Sequence, residues 1–281
     1  MPDSPVSIIT PSFNQGKYIE DTIKSVKMQD YDNLEHIIID GGSTDETIDI
    51  LREYQNKYNM EWISEPDRGQ ADAINKGFRR AGGDILGWLN SDDIYLSKHA
   101  ISKSVGELIN SPAADIVSGR GIRLKEDGKW DHPIKRRDNK LSHSNLRQGA
   151  FVLQPATFWY NYVWQEIGIN NNLEYTFDWD FFIRATREFN IIPISDFIIG
   201  YRWQGDNKTT SGGLERAKEI RDVTGEYMGT SSWQYQILCL YCGIYKIAEY
   251  MPESIGNRIE DALDFVSSVI SYLSLKKISG V

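Results

Sequence analysis

Two adjacent carboxylates, Asp92 and Asp93, close the segment Gly83-Asp84-Ile85-Leu86-Gly87-Trp88-Leu89-Asn90-Ser91. The apolar run before them suits a buried strand. Charges are costly to bury, so the pair belongs where that strand emerges into a cleft. Two carboxylates there suit a hard divalent cation, and such a cation suits a diphosphate. Their alternative role is to cap a helix after Ile94, which needs only one carboxylate. A second constellation, Tyr175-Thr176-Phe177-Asp178-Trp179-Asp180-Phe181-Phe182-Ile183-Arg184, sets two acids among aromatics. Apolar surroundings raise a carboxylate pKa, which suits a general base. A helix start would use one of these acids as a cap and leave the other without a role.

Two further polar segments follow apolar runs, Thr10-Pro11-Ser12-Phe13-Asn14 and Asp40-Gly41-Gly42. At the ends of parallel strands they would lie on one edge and converge on one ligand. Asp40 could accept a hydrogen bond from a base or ribose, or bond backbone amides as a turn carboxylate. Gly41 and Gly42 would let a ligand approach the backbone. In the polar loop Glu65 to Gln70, Arg68 could neutralise phosphate or pack on a base ring, or remain a surface cation. Asp72 and Asn75 could face the same cleft. Trp88, Trp159 and Trp179 could offer stacking faces to a ligand or fill the core.

The elements that must position these residues are legible as alternating patterns. Apolar runs at 6–10, 34–39, 60–63 and 115–118, with the run before Asp92, read as strands. Between them come helical spacings at Ile19, Ile23 and Val26, at Ile48, Leu51, Tyr54 and Tyr58, and at Ala71, Ile74, Phe78 and Ala81, with another helix near 97–110. Ser43 and Glu46 suggest a capping box for the second helix. This α/β alternation predicts a Rossmann-like, mostly parallel central sheet with helices on both faces. Up to about residue 205 the chain is then rich in Trp and Tyr. A polar breaker runs from Asp206 to Gly213. From Leu214 onward it reads as helices, one aromatic-rich around Trp233 to Ile247. Another carries the stripe Ile259, Leu263, Val266, Ile270 and Leu273.

Bulk properties exclude several classes. A net charge of -9 argues against a nucleic-acid binder, whose footprint is usually basic. The opening Met1-Pro2-Asp3-Ser4-Pro5 lacks the basic start of a signal peptide. No run reaches the roughly 18 apolar residues that span a bilayer. The expected compartment is the cytoplasm. Cys239 and Cys242 make half a zinc site at most and read as small apolar residues one helical turn apart. His36, His99, His132 and His143 have no metal-ligand spacing. The absence of G-x-G-x-x-G, P-loop and G-x-S-x-G signatures disfavours a dinucleotide dehydrogenase, a P-loop ATPase and an α/β-hydrolase.

Six ordered motifs together resemble the family 2 glycosyltransferases with the GT-A fold, over roughly residues 5–205. They are Ser-Ile-Ile-Thr-Pro-Ser-Phe-Asn at 7–14, Asp-Gly-Gly-Ser-Thr-Asp-Glu-Thr at 40–47 and Glu-Pro-Asp-Arg-Gly-Gln-Ala-Asp-Ala-Ile-Asn-Lys-Gly at 65–77. Gly-Trp-Leu-Asn-Ser-Asp-Asp at 87–93, Gln-Pro-Ala-Thr-Phe-Trp at 154–159 and Phe-Asp-Trp-Asp-Phe-Phe-Ile-Arg at 177–184 complete the set. The resemblance implies a GT-A domain over 1–210, with a nucleotide-binding half of about 1–120 and an acceptor half of about 121–210, then a C-terminal helical extension over 211–281. It implies inverting transfer of a sugar from a nucleotide-diphosphate donor, by family habit a UDP-sugar, to the hydroxyl of a saccharide or lipid-linked acceptor. Cell-surface polysaccharide or glycan biosynthesis is the expected setting.

Carried over by motif, the donor side comprises Thr10, Pro11, Phe13, Asn14, Asp40, Gly41, Arg68, Asn75, Asn90 and Ser91. Asp92, the last acid of the family's D-x-D motif, would bind Mn²⁺ or Mg²⁺ with Asp93 beside it. Asp178 matches the general base. Gln154, Thr157, Trp159 and Trp179 would lie by the acceptor. Two positions depart from the family pattern. Asn90 replaces the first acid of D-x-D, and Gln204 stands where a His often follows Tyr-Arg. The rival readings are a sugar-phosphate nucleotidyltransferase, whose Gly-rich phosphate loop residues 11–16 do not match, and a non-catalytic nucleotide-sugar binder. The aromatic-rich tail could rest on the inner face of a membrane, or pack on the catalytic domain or a second subunit.

Overall fold

The computed structural model describes residues 4–134, 141–148, 152–205, 207–208 and 212–248. The first half alternates strand and helix: β1 (Val6–Ser12), α1 (Ile19–Lys27), β2 (Leu34–Asp40), α2 (Thr47–Tyr54), β3 (Met60–Ser64), α3 (Gln70–Arg80) and β4 (Ile85–Trp88). Then come β5 (Ile94–Tyr95), α4 (Ala100–Asn110), β6 (Ile116–Leu124), β7 (Trp130–Pro133) and α5 (His143–Leu146). The remainder is β8 (Thr157–Tyr160), α6 (Asn161–Ile167), α7 (Phe177–Glu188), β9 (Ile191–Arg202), α8 (Gly213–Met228) and α9 (Trp233–Ala248).

One sheet runs in the order β3-β2-β1-β4-β8-β6-β9-β5, with β7 paired to β6. Strands β1 to β4 are mutually parallel, as are β6 and β9, whereas β8, β5 and β7 join antiparallel. Every residue of β1 is buried, which its near-continuous apolar run anticipates for a strand covered on both faces. Neighbouring side chains go to opposite cores. Ile9, Leu86 and Trp159 pack with Ile74, Phe78 and Phe181 on one face. Ile8, Ile85 and Phe158 pack with Ile101, Val105 and Ile198 on the other.

The parallel register aligns Ser12 with Asp40 and Asp40 with Ser64, so three strands end at one edge. Pro11 sits in a central strand without breaking it. The Ile9 carbonyl accepts from the Leu89 amide on the β4 side. Strand alternation turns Pro11 to that same side, past the last β1–β4 pair, Ile9 with Trp88, where no N–H is needed. Beyond that pair the two strands part, and the edge opens between them.

Two local expectations are corrected. No capping box starts the second helix: the Ser43 hydroxyl is held by Asp40, and α2 begins at Thr47 without a side-chain cap. No helix follows Ile94 directly; Ile94 and Tyr95 pair with β9, and α4 starts at Ala100. Helices α8 and α9 pack together through Leu214, Ala217, Tyr241, Cys242 and Tyr245. Cys239 and Cys242 are both free thiols. Among the described residues, no helix is long and apolar enough to cross a membrane. The expected stripe from Ile259 to Leu273 lies outside the described residues.

His36 supplies a stability prediction. It is fully buried, bonded to Thr10 Oγ1 at 2.9 Å and to the Tyr58 hydroxyl at 2.6 Å. Burial pushes its pKa down to about 3. Between that value and the ordinary 6.5 the unfolded chain binds the extra proton, so this contribution falls as pH drops, by about 1.4 kcal/mol per pH unit at most. Urea unfolding of wild type and His36→Gln from pH 7 to pH 5 should show wild type losing stability relative to the variant. A constant difference would show that His36 is not held neutral.

Candidate active site

The loops at the carboxyl edge are laced together by side chains. Asn14 adopts a left-handed conformation, φ 51°, which an Asn tolerates. Its amide donates to Ser43 Oγ at 2.7 Å, and its Oδ1 accepts from the Thr44 amide at 2.9 Å. Asp40 is wholly buried. It accepts from the amides of Gly42 and Ser43, at 3.0 and 2.8 Å, and from the hydroxyls of Ser43 and Ser64. Asp40 therefore organises the turn. Phe13 stands 60% exposed above this lacework, available as a ring surface. Ser12 Oγ at the same edge is buried and lacks a hydrogen-bond partner among the described residues.

The β3–α3 loop closes one flank. Arg68 is held by Asp72 through its backbone amide at 3.2 Å and its guanidinium at 3.3 Å, yet its side chain stays 77% exposed and can turn toward a ligand. Gly41 lets this loop pack close: a Cβ there would lie 2.7 Å from Asp67 Oδ2.

Beyond β4, Asn90 is a hub. Its Oδ1 accepts from Gln70 Nε2 at 3.0 Å and Trp88 Nε1 at 2.9 Å, and its Nδ2 donates to Asp93 Oδ2 at 3.1 Å. An aspartate here could not donate, and would set a second carboxylate against the buried Asp93. That accounts for a neutral residue at this position. Gln154 is buried and bound to the Trp88 carbonyl at 2.6 Å, so it braces the same turn. Ser91 is buried within the turn.

The two adjacent acids have different surroundings. Asp93 is fully buried and accepts from the Arg202 amide at 3.0 Å as well as from Asn90. Burial, then the charge of Asp92, drives its pKa well up. It holds the turn to β9. Arg202 clamps the turn from beneath, donating to the Asp92 carbonyl at 3.0 Å and pairing with Asp21 at 2.8 Å. Asp92 is half-buried, and its Oδ2 accepts from Gln204 Nε2 at 2.7 Å. Burial raises its pKa too, so a cation would strongly favour the charged form.

Asp178 lies in the first turn of α7. Among the described residues its hydrogen-bond donor is the Trp179 amide, at 2.7 Å. Burial lifts its pKa above the ordinary carboxylate range, partly offset by that bond. Neither acid caps the helix. Asp180 is engaged by Arg184 at 2.7 Å and by the Tyr227 hydroxyl at 2.5 Å. The Trp88 and Phe177 rings stack at 5.5 Å and 18°, which sets the end of β4 beside the start of α7. Glu174, just before α7, comes within 3.0 Å of where a Gly69 side chain would start. The loops that carry Phe13, Arg68 and Asp92 and the helix start that carries Asp178 thus adjoin.

Four other expected site residues are buried within the fold. Thr10 is buried against His36. Asn75 is enclosed, donating to the Ile169 carbonyl and Asn171 and accepting from Trp164 Nε1 and the Ile169 amide, so it ties α3 to α6. Thr157 bonds Ser118 and the Leu153 carbonyl inside the sheet. Trp159 is wholly buried among Phe78, Phe181 and Phe182. Trp179 is half-buried and donates to the Leu146 carbonyl at 2.8 Å. Sequence reasoning gave Ser43 a different role and assigned none to Ser64, Gln70 or Arg202; Arg202 carried a signal, lying two residues before the Gln204 that was singled out.

Fold and edge together define a class, an α/β enzyme of GT-A type. The solved S. aureus TarS 1-349 in complex with UDP-GlcNAc superposes with TM-score 0.65 at 16% identity, covering 95% of this chain and 88% of that one. A mannosyltransferase from Pyrobaculum calidifontis, solved with GDP-Man and Mn²⁺, gives TM-score 0.62 at 15% identity, covering 98% and 80%. An uncharacterized glycosyltransferase of Mycobacterium tuberculosis is 33% identical over 186 residues, 66% of either chain. The family model Glycosyl transferase family 2 matches residues 7–166, and the chain belongs to this family of sugar-transferring enzymes. This chain thus spans about two thirds of the length of the curated relative it matches.

Among the described residues no group of three or more His, Cys, Asp or Glu gathers as a ready metal cage. A Mg²⁺-type ion needs none, since it takes one or two carboxylates and completes its shell with phosphate oxygens and water. Asp92, with the Gln204 amide oxygen available if that side chain turns over, is an all-oxygen donor set that fits such an ion.

Proposed function

We propose that this enzyme moves a sugar from a nucleotide-diphosphate donor, a UDP-sugar, to an acceptor hydroxyl with inversion, in polysaccharide or glycan biosynthesis. The observation that carries this reading is the Trp88–Phe177 stack, which sets the turn bearing Asp92 beside the helix start bearing Asp178. Phe13 and Arg68 hold base and phosphate, and Asp92 with Gln204 holds the diphosphate side. Bound there, Mn²⁺ or Mg²⁺ would stabilise the negative charge of the departing diphosphate. Asp178 accepts the acceptor's proton as its oxygen forms the new bond to the anomeric carbon, and the bond to the diphosphate oxygen breaks on the opposite face. The rising pKa of a buried carboxylate suits this task. Exposed Trp233, Leu240 and Ile247 on α9 support a peripheral contact for the C-terminal helices, on a membrane surface or a second subunit.

The reading is tested by product analysis with UDP-sugars and Mn²⁺. The expected products are UDP and a glycoside of opposite anomeric configuration. Release of pyrophosphate from a nucleoside triphosphate would instead favour a nucleotidyltransferase. Donor binding with neither hydrolysis nor transfer would favour a non-catalytic binder.

A further inference from the structure

Helix α7, which bears Asp178, has no cap of its own: Thr176 precedes it without a side-chain bond to its first turn. The acceptor comes from α8. Glu219 Oε1 accepts from the amides of Tyr175 and Thr176, each at 2.7 Å, and from Thr176 Oγ1 at 2.8 Å. Its Oε2 accepts from the Glu174 amide at 2.7 Å. A carboxylate gripping a helix start in this way combines charge-assisted bonds with the favourable end of the helix dipole. About two turns further along α8, Tyr227 donates to Asp180. Helix α8 therefore grips the chain on both sides of Asp178, two to four residues before it and two residues after it.

We propose that Glu219 is a positioning residue for sugar transfer: by fixing residues 174–176 it sets where the Asp178 carboxylate stands in the cleft. This rests on the reading of Asp178 as base. The expected boundary between 1–210 and 211–281 then divides one catalytic unit. A misplacement of a reacting group by about 1 Å costs on the order of 10²-fold in rate. Among the described residues Asp178 is held by local backbone amides, its own and that of Trp179, so its aim depends on the backbone that Glu219 secures. Two charges on α8 act on Asp178. Arg216 lowers its pKa and Glu219 raises it.

The test compares Glu219→Gln, Glu219→Ala and Asp178→Asn in the full chain, measuring kcat, its pH profile, donor affinity by calorimetry and Tm. The Gln variant keeps one acceptor oxygen and is the better folder of the pair. The expected result is a kcat about 10-fold lower for Gln and about 10²-fold lower for Ala, with donor affinity unchanged. The acid limb of the Gln profile should move to lower pH, because a charge that raises the Asp178 pKa has gone. A lowered Tm with wild-type kcat and an unmoved acid limb in Glu219→Gln would overturn the proposal, whether or not Glu219→Ala folds. If Asp178→Asn is inactive while both Glu219 variants turn over normally, only this inference fails. If Asp178→Asn remains active, the base assignment itself fails.

Discussion

Asp178→Asn should reduce transfer by about 10²–10⁴-fold, the span that a positioned general base contributes. Asn preserves the shape and the bond from the Trp179 amide but cannot take a proton. Donor affinity should be unchanged, because the loops that would hold nucleotide and diphosphate belong to β1, β2, β3 and β4 and not to α7. The pH dependence has a defined sign. Burial raises the Asp178 pKa, so the acid limb of kcat should lie above the usual carboxylate value of about 4. Below it the base is protonated, and turnover falls tenfold per pH unit. UDP release measured from pH 4 to pH 8 reads both effects, and full turnover in the Asn variant would remove Asp178 from the chemistry.

Asp92→Ala should abolish the stimulation of turnover by Mn²⁺, a loss on the order of 10³-fold. Asp93 cannot substitute, since it is fully buried and already bonded to Asn90 and the Arg202 amide. Asn90 cannot substitute either, because its amide is shared among Gln70, Trp88 and Asp93. The turn should nevertheless keep its shape in the variant, as Arg202 grips the Asp92 carbonyl and not its carboxylate. Gln204 contributes at most one oxygen beside Asp92, so turnover rather than fold is the sensitive readout. Kinetics over a Mn²⁺ titration check this, and an unchanged metal response would place the cation elsewhere.

The strands and helices of the first half were legible because each combines a short apolar run with a periodic apolar face, and parallel strands force their loops to one edge. Asp92 and Asp178 could be singled out for the same reason: each acid interrupts an apolar segment. The use of individual polar side chains was less legible. Asn75 looks like a cleft residue in sequence, but its partners lie 94 to 96 positions away, at Ile169 and Asn171. Ser43 and Glu46 satisfy a local capping pattern, yet Asp40 competes for the Ser43 hydroxyl and wins. Trp88 and Trp159 carry no mark separating a stacking face from a core residue; the sheet's alternation decides it, and both are buried. Strand β5 has two residues, too few for any period to register. The grip of Glu219 on α7 spans 43 to 45 positions and leaves no local trace.

Calorimetric titration of a UDP-sugar into the wild-type chain and into Asp92→Ala, each with Mn²⁺ and with chelator, examines the heart of this account. The wild type should bind tightly with Mn²⁺ and weakly with chelator, while the variant binds weakly in both. Equal affinity in all four titrations would contradict a cation-bridged diphosphate at Asp92.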